Sequence, residues 1–171
     1  MNRKDRFLTV EERSQVGDDF HQVVADKFIF KVKKGLLYGE NDTWARVEGG
    51  SIRLGITDYL QRRGGDIVYI QLPKIGDKVK QSEDIAQLET IKAIMTVASP
   101  LAGTVSEINS LLNDKPELVN EDPYGEGWLI LISLTNLGDI DRLLKAEEYF
   151  ELMKKKIQDE LKRRMRGGKG T

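Results

Sequence analysis

The chain of 171 residues contains no cysteine. That absence removes disulfides, thiol nucleophiles, iron–sulfur clusters and cysteine-based zinc sites together. Histidine is almost as scarce. The only one, His21, permits neither a histidine metal cluster nor paired-histidine catalysis, and it reads as a surface or half-packed residue. No segment has the long apolar run of a membrane span, and the start, Met1-Asn2-Arg3-Lys4-Asp5-Arg6, lacks the apolar core of a signal peptide. Neither charge sign is in excess: 27 Lys and Arg face 28 Asp and Glu, for a formal net charge of -1. Such a balance supplies no global field to draw the chain to nucleic acid or to an anionic membrane. The expectation is a soluble, cytoplasmic protein built as one domain with extensions.

Three zones differ in texture. Residues 1–37 begin charged and become strand-like at Phe28-Ile29-Phe30-Lys31-Val32, before the breaker Gly35. Residues 38–136 are punctuated by glycine and proline between short apolar segments. Strands are expected over Thr43 to Glu48, Ser51 to Gly55, Asp66 to Leu72, Asp84 to Glu89, Ala93 to Ala98, Gly103 to Ile108 and Trp128 to Leu134. Many short strands at this spacing describe a mainly β sandwich or flattened barrel. Ile56 to Arg63 reads as a short helix, with Thr57 as N-cap and Gly64-Gly65 as its stop. In residues 137–171 the period changes. Ile140, Leu143, Leu144, Phe150, Met153, Ile157, Leu161 and Met165 recur at three- and four-residue steps, which predicts a C-terminal amphipathic helix. Asp139 is positioned to cap its start, Gly167-Gly168 to end it, and a break is expected near Ala146.

Two strand-like runs meet at Glu89-Thr90-Ile91-Lys92-Ala93, with too little chain between them for anything but a tight hairpin. Lys92 then stands at or beside the tip with its amine in water. A lysine so placed is ordinarily a solvated charge that discourages edge aggregation. It is also a good handle for covalent attachment and a poor catalyst alone. Elsewhere, Trp44 and Trp128 are expected in or beside the core. The run Asp122-Pro123-Tyr124-Gly125-Glu126-Gly127 reads as a shaping turn before a strand. The basic stretch from Lys154 to Lys169 reads first as a solvated face, then as a docking surface for an acidic partner.

The ordered set Trp44-Ala45-Arg46-Val47-Glu48-Gly49, Gly55-Ile56-Thr57-Asp58-Tyr59, Gly65-Asp66-Ile67-Val68-Tyr69, Leu72-Pro73 and Gly76-Asp77-Lys78-Val79 leads into the Lys92 pentapeptide. It continues through Ser99-Pro100-Leu101-Ala102-Gly103-Thr104-Val105 to the run from Glu117 to Trp128. From about Tyr38 to Met153 this pattern resembles the H-protein family of the glycine cleavage system. The resemblance implies a lipoyl-domain-like β-sandwich (barrel-sandwich hybrid) with flanking helices. It implies a non-catalytic carrier with lipoate bound covalently to Lys92. Glu89 would help a lipoylating enzyme recognise the turn, Ala93 completes the motif, and Gly103 would allow close backbone approach. The implied role is to shuttle the aminomethyl intermediate between a pyridoxal-phosphate glycine decarboxylase, an aminomethyltransferase and dihydrolipoamide dehydrogenase. No nucleic-acid or membrane partner is expected. Biotin is disfavoured, because Ile91 and Ala93 flank the lysine where biotin carriers resemble Met-Lys-Met.

Three departures from the family pattern stand out. Asp42 occupies the place of a histidine two residues before the tryptophan. Ile94-Met95-Thr96-Val97 is more apolar than usual. Residues 1–37 and the tail after Met153 lie outside the resemblance. The first two are expected to alter the surface around the arm. They keep open two other readings: an H-like lipoate-binding protein carrying sulfur intermediates with a heterodisulfide-reductase-like complex, and a structural paralogue without a carrier role.

Overall fold

A computed structural model describes residues 11–13 and 19–168. In chain order the strands are β1 (Glu11–Arg13), β2 (Phe20–Ala25), β3 (Phe28–Lys33), β4 (Leu37–Gly39), β5 (Thr43–Glu48) and β6 (Ser51–Ile56). Helix α1 (Asp58–Gly64) follows, then β7 (Ile67–Gln71), β8 (Lys78–Val79), β9 (Asp84–Thr90), β10 (Ile94–Ala98) and β11 (Gly103–Ile108). A short helix α2 (Leu118–Glu121), strands β12 (Ile130–Leu134) and β13 (Leu144–Lys145), and the long helix α3 (Ala146–Gly167) complete the order.

The expected β-sandwich is present. One sheet runs β10-β9-β7 and the other β13-β4-β5-β6-β12-β11-β8, with every neighbouring pair antiparallel. Alternation along the strands turns one face of each inward. Ile67, Ile70, Ile85, Leu88 and Val97 of the small sheet meet Ile52, Leu54, Ile56, Val105, Ile130 and Ile132 of the large one. Each fully buried Ile or Leu contributes roughly 1.5–3 kcal/mol by leaving water. Trp44 and Gly55 are cross-strand partners, and a Cβ on Gly55 would stand 2.5 Å from the indole. The glycine makes room for the ring, and the Trp44 Nε1 donates to the Pro123 carbonyl at 2.8 Å.

A third sheet, β1-β2-β3, and α3 cover the flank of the sandwich. The free edge of β3 is not left unpaired. The Lys31 N–H donates to Asp58 Oδ2 at 2.9 Å, and the Tyr124 hydroxyl donates to the Lys31 carbonyl at 2.6 Å. Asp58 is tied inward by Gln61, and Asn120 joins Gln61, Gly65 and the Ile67 N–H. The distinctive Glu117–Trp128 run therefore acts as a bracket: Asn120 fixes the start of β7, Pro123 holds Trp44, and Tyr124 holds β3.

The local expectations held unevenly. α1 starts at Thr57, whose hydroxyl accepts from Leu60 N, and it stops at Gly65 with φ +80°. α3 ends at the expected glycines, but it begins at Ala146, where only a break was expected. Asp139 does not cap it. Leu137–Arg142 form a 3-10 segment capped by Asn136, and Leu144 pairs with Tyr38 in the large sheet. Sheet pairing has overridden a helical period there. Strand β2 escaped the reading of residues 1–37, because its apolar and polar positions barely alternate.

Candidate functional site

β9 and β10 are joined through Ile91-Lys92-Ala93, and the register pairs Ile94 with Glu89, so that Thr90 faces Ala93 and the loop at the tip is the two residues Ile91 and Lys92. Two-residue hairpins normally use positive φ to match strand twist. The β2–β3 hairpin does so, with φ of 46° at Asp26 and 73° at Lys27. Ile91 and Lys92 instead keep negative φ. Thr90 makes this workable. Its N–H donates to the Ala93 carbonyl at 2.9 Å, and its hydroxyl accepts from Lys92 N at 3.2 Å and Ala93 N at 3.1 Å. The hydroxyl also lies 3.1 Å from the Ala93 carbonyl, to which it donates. A buried threonine side chain thus replaces part of the backbone ladder, a known competence of Ser and Thr in turns. The residue identities alone carried that signal, a threonine two positions before the lysine, and the sequence reading passed over it.

Lys92 is exposed, and its Nζ has no hydrogen-bond or ion-pair partner among the described residues. Ile91 beside it is 85% exposed and Ile94 is 65% exposed. Glu89, Ile94 and Tyr69 form one outward-facing row across β9, β10 and β7. Met95 turns the other way, toward α1, where a Cβ on Gly64 would collide with it. The tip is therefore mounted on a rigid base while its lysine stays free.

Lys92 also borders a groove of about 170 Å³. Its wall is apolar and aromatic, from Phe28, Phe30, Tyr59, Ile157 and Leu161. Its rim is ionic: Arg63 lies 3.3 Å from Glu160, and Arg164 lies 3.2 Å from both Glu160 and Asp26. Burial pushes the Tyr59 phenol up to about 12, against the pull of nearby Arg63. These groove residues come from the β2–β3 hairpin, α1 and α3, segments that sequence reading had no means of bringing together.

Of the residues singled out in the sequence, Glu89 and Ala93 stand with Lys92 at the turn. Gly103 does not. It lies past the far end of β10, where its partners are Leu134 and Val79, and a Cβ there would run into the Ser133 carbonyl. Its close backbone approach is that of a sheet glycine. Asp42 requires a correction as well. It is buried with φ +67°, and its Oδ1 accepts from the Tyr149 hydroxyl at 2.8 Å and from Lys156 Nζ at 2.9 Å. It anchors α3 rather than shaping the surface beside the arm. His21 is half-buried, stacked on Phe150 with ring centroids 5.3 Å apart, and its Nε2 lies 3.5 Å from Glu147.

Comparison with known proteins gives this geometry a context. The profile of the glycine cleavage H-protein family matches residues 36–156. The chain belongs to this family. It is 44% identical over 127 residues to a probable glycine cleavage system H protein of Aeropyrum pernix, covering 74% of this chain and 89% of that one. It is 45% identical over 116 residues to a glycine cleavage system H protein of Geobacillus kaustophilus, covering 68% and 91%. A crystal structure of a glycine cleavage system H protein from Mycobacterium marinum superposes with a TM-score of 0.63 at 31% identity, covering 69% of this chain and 95% of that one. The family match thus includes the sandwich, the Lys92 hairpin and the first half of α3. The β2–β3 hairpin and the end of α3 lie outside it. No helix among the described residues is long and apolar enough to cross a membrane.

Proposed function

We propose that the protein is the lipoyl carrier of a glycine cleavage system, with lipoate held as an amide on Lys92 Nζ. The observation that carries this reading is the free, exposed lysine at the tip of a hairpin locked by Thr90, in a chain of the H-protein family. The residues present suit the group. A primary amine forms a stable amide, the four-carbon stem adds reach, and no carboxylate among the described residues competes for Nζ. The apolar wall of the neighbouring groove is compatible with an aliphatic chain.

When bound, the dithiolane supplies reversible disulfide–thiol chemistry and a site for a one-carbon unit. The chain's own contribution is mechanical and electrostatic. Thr90 fixes the attachment point, and the Met95–Gly64 contact keeps the hairpin from pivoting as a whole. Phe28, Phe30 and Tyr59 give the stem an apolar surface beside its root. Tethering keeps one reactive group at high local concentration while it visits several enzymes. By family, those are glycine decarboxylase, aminomethyltransferase and dihydrolipoamide dehydrogenase, with a lipoylating enzyme to load the lysine. Glu89, exposed beside the turn, is the residue we assign to recognition by that last enzyme.

The test is intact-mass spectrometry of protein from its native host, followed by peptide mapping. A lipoyl-sized mass gain on Lys92, absent in Lys92→Arg, is expected, and protein that never gains it would sink the attachment reading. Lipoylated protein should then support glycine–bicarbonate exchange with glycine decarboxylase, whereas Lys92→Arg should give background exchange only. Lipoylation without exchange would instead favour the sulfur-linked relatives of the family.

A further inference from the structure

α3 outruns the body that it packs on. Ile157 is its last buried residue and Leu161 its last half-buried one, and every residue from Lys162 to Gly168 is exposed. The projecting stretch reads Lys162-Arg163-Arg164-Met165-Arg166. Arg164 is held by Asp26 and Glu160. Lys155, Lys162, Arg163 and Arg166 have no ion pair among the described residues. Steps of seven and eleven residues place Lys155, Lys162 and Arg166 on one stripe, opposite buried Met153 and Ile157, with Arg163 flanking it. From Lys155 onward Asp159 is the stripe's single carboxylate.

The helix dipole favours cations in a last turn, which accounts for Arg164 and Arg166. It does not account for Lys155, three turns earlier, and like charges at Lys162 and Arg166 repel at their four-residue spacing. The stripe therefore carries an uncompensated charge at a definite place. Leu161 and Arg164, from the same turns, line the groove that Lys92 borders. An enzyme that engages the hairpin tip is large enough to reach this helix end as well. With a formal net charge of -1 for the whole chain, a basic helix end leaves an acidic excess elsewhere, so the molecule is electrically lopsided. Such a molecule is turned by a partner's field before contact. No aromatic side chain is interleaved with the cations, which disfavours nucleic acid, and one methionine is too little apolar surface for membrane insertion.

We propose that the basic stripe running from Lys155 to the projecting end of α3, all of it but Lys155 outside the family match, is a docking surface for an acidic patch on an enzyme that the Lys92 arm visits. This rests on the carrier reading above, and its test separates the two. Binding to the glycine decarboxylase of the same host is measured by calorimetry with Lys92→Arg protein, which cannot be lipoylated, so that docking is read apart from the arm. Changing Lys155, Lys162, Arg163 and Arg166 together to Gln in that background should weaken binding about tenfold at low ionic strength. It should also flatten the salt dependence that the parent shows. Exchanging Arg163 and Arg166 for Lys keeps the charge and should keep the affinity, which distinguishes charge loss from a frayed helix. Equal affinity of parent and Gln variant, a salt-independent parent, or no binding by the parent would each overturn the proposal. So would selective loss of retention on anionic vesicles or duplex DNA with decarboxylase binding unchanged. Failure of the carrier reading shows elsewhere, as native protein without a lipoyl mass on Lys92.

Discussion

The hydrophobic cluster of the sandwich is aliphatic: each of its buried members is Ala, Val, Ile or Leu. The core beneath β2, β3 and α3 is half aromatic, with Phe30, Tyr38, Trp44, Tyr59, Tyr124, Tyr149 and Phe150 among its members. Aliphatic side chains ask only to be buried and close-packed. Buried phenols and indoles ask for a particular acceptor too. Tyr38 finds the Lys33 carbonyl, Tyr124 the Lys31 carbonyl, Tyr149 Asp42, and Trp44 the Pro123 carbonyl. The first core is a matter of pattern and the second a matter of matching distant partners. They also serve different parts of the site. The aliphatic core supports the β9–β10 hairpin that presents Lys92, while the aromatic core holds the walls of the groove beside it.

Truncating each core gives the largest test of this division. Leu54→Ala should cost about 2–5 kcal/mol and Phe150→Ala about 3–5 kcal/mol in denaturant unfolding. Hydrogen exchange should separate them: Leu54→Ala loosens the amides of β9 and β10, whereas Phe150→Ala loosens chiefly β2, β3 and α3. Equal loosening everywhere would mean one cooperative core. A smaller effect is expected for Tyr149→Phe, which removes one of the two donors to buried Asp42 and should cost about 1–3 kcal/mol. Lys156 remains to neutralise that carboxylate.

The same phenols predict an alkaline weakness. Desolvation by burial raises Tyr38, Tyr124 and Tyr149 well above the usual phenol value near 10, and Tyr59 to about 12. The folded state holds these protons more tightly than the unfolded chain. Their stabilisation is therefore complete below pH 10 and falls as pH rises from there through the folded values. Thermal melts should drop steeply above pH 10, and less steeply in a Tyr38→Phe variant. An unchanged slope would remove the buried phenol from the account. Smallest is Thr90→Val, which leaves the turn's N–H groups at Lys92 and Ala93 without their acceptor and should cost roughly 0.5–1.5 kcal/mol. Its informative readout is slower lipoylation of Lys92 with the melting profile nearly intact, and Thr90→Ser should restore the rate.

Much of the molecule was legible in its residues because the relevant physics is local. Short apolar segments set off by glycine and proline marked most of the sandwich strands, Thr57 and Gly65 bounded α1, and the short connection around Lys92 announced a hairpin. The ordered motifs around it pointed to the family and to Lys92. The tertiary structure alone decided what those motifs do. The run that holds Asn120, Pro123 and Tyr124 reads in sequence as a shaping turn, and the fold shows which distant parts it shapes: β7, Trp44 and β3. Asp42, a departure from the family pattern, faces α3 because Tyr149 and Lys156 meet it more than a hundred positions along the chain. Leu144 obeys a helical period yet pairs in a sheet, since a ladder to Tyr38 was within reach. The groove beside Lys92 belongs wholly to this second class. Its walls come from three separated segments, brought together by packing in the aromatic core and by buried hydroxyls matched to distant acceptors.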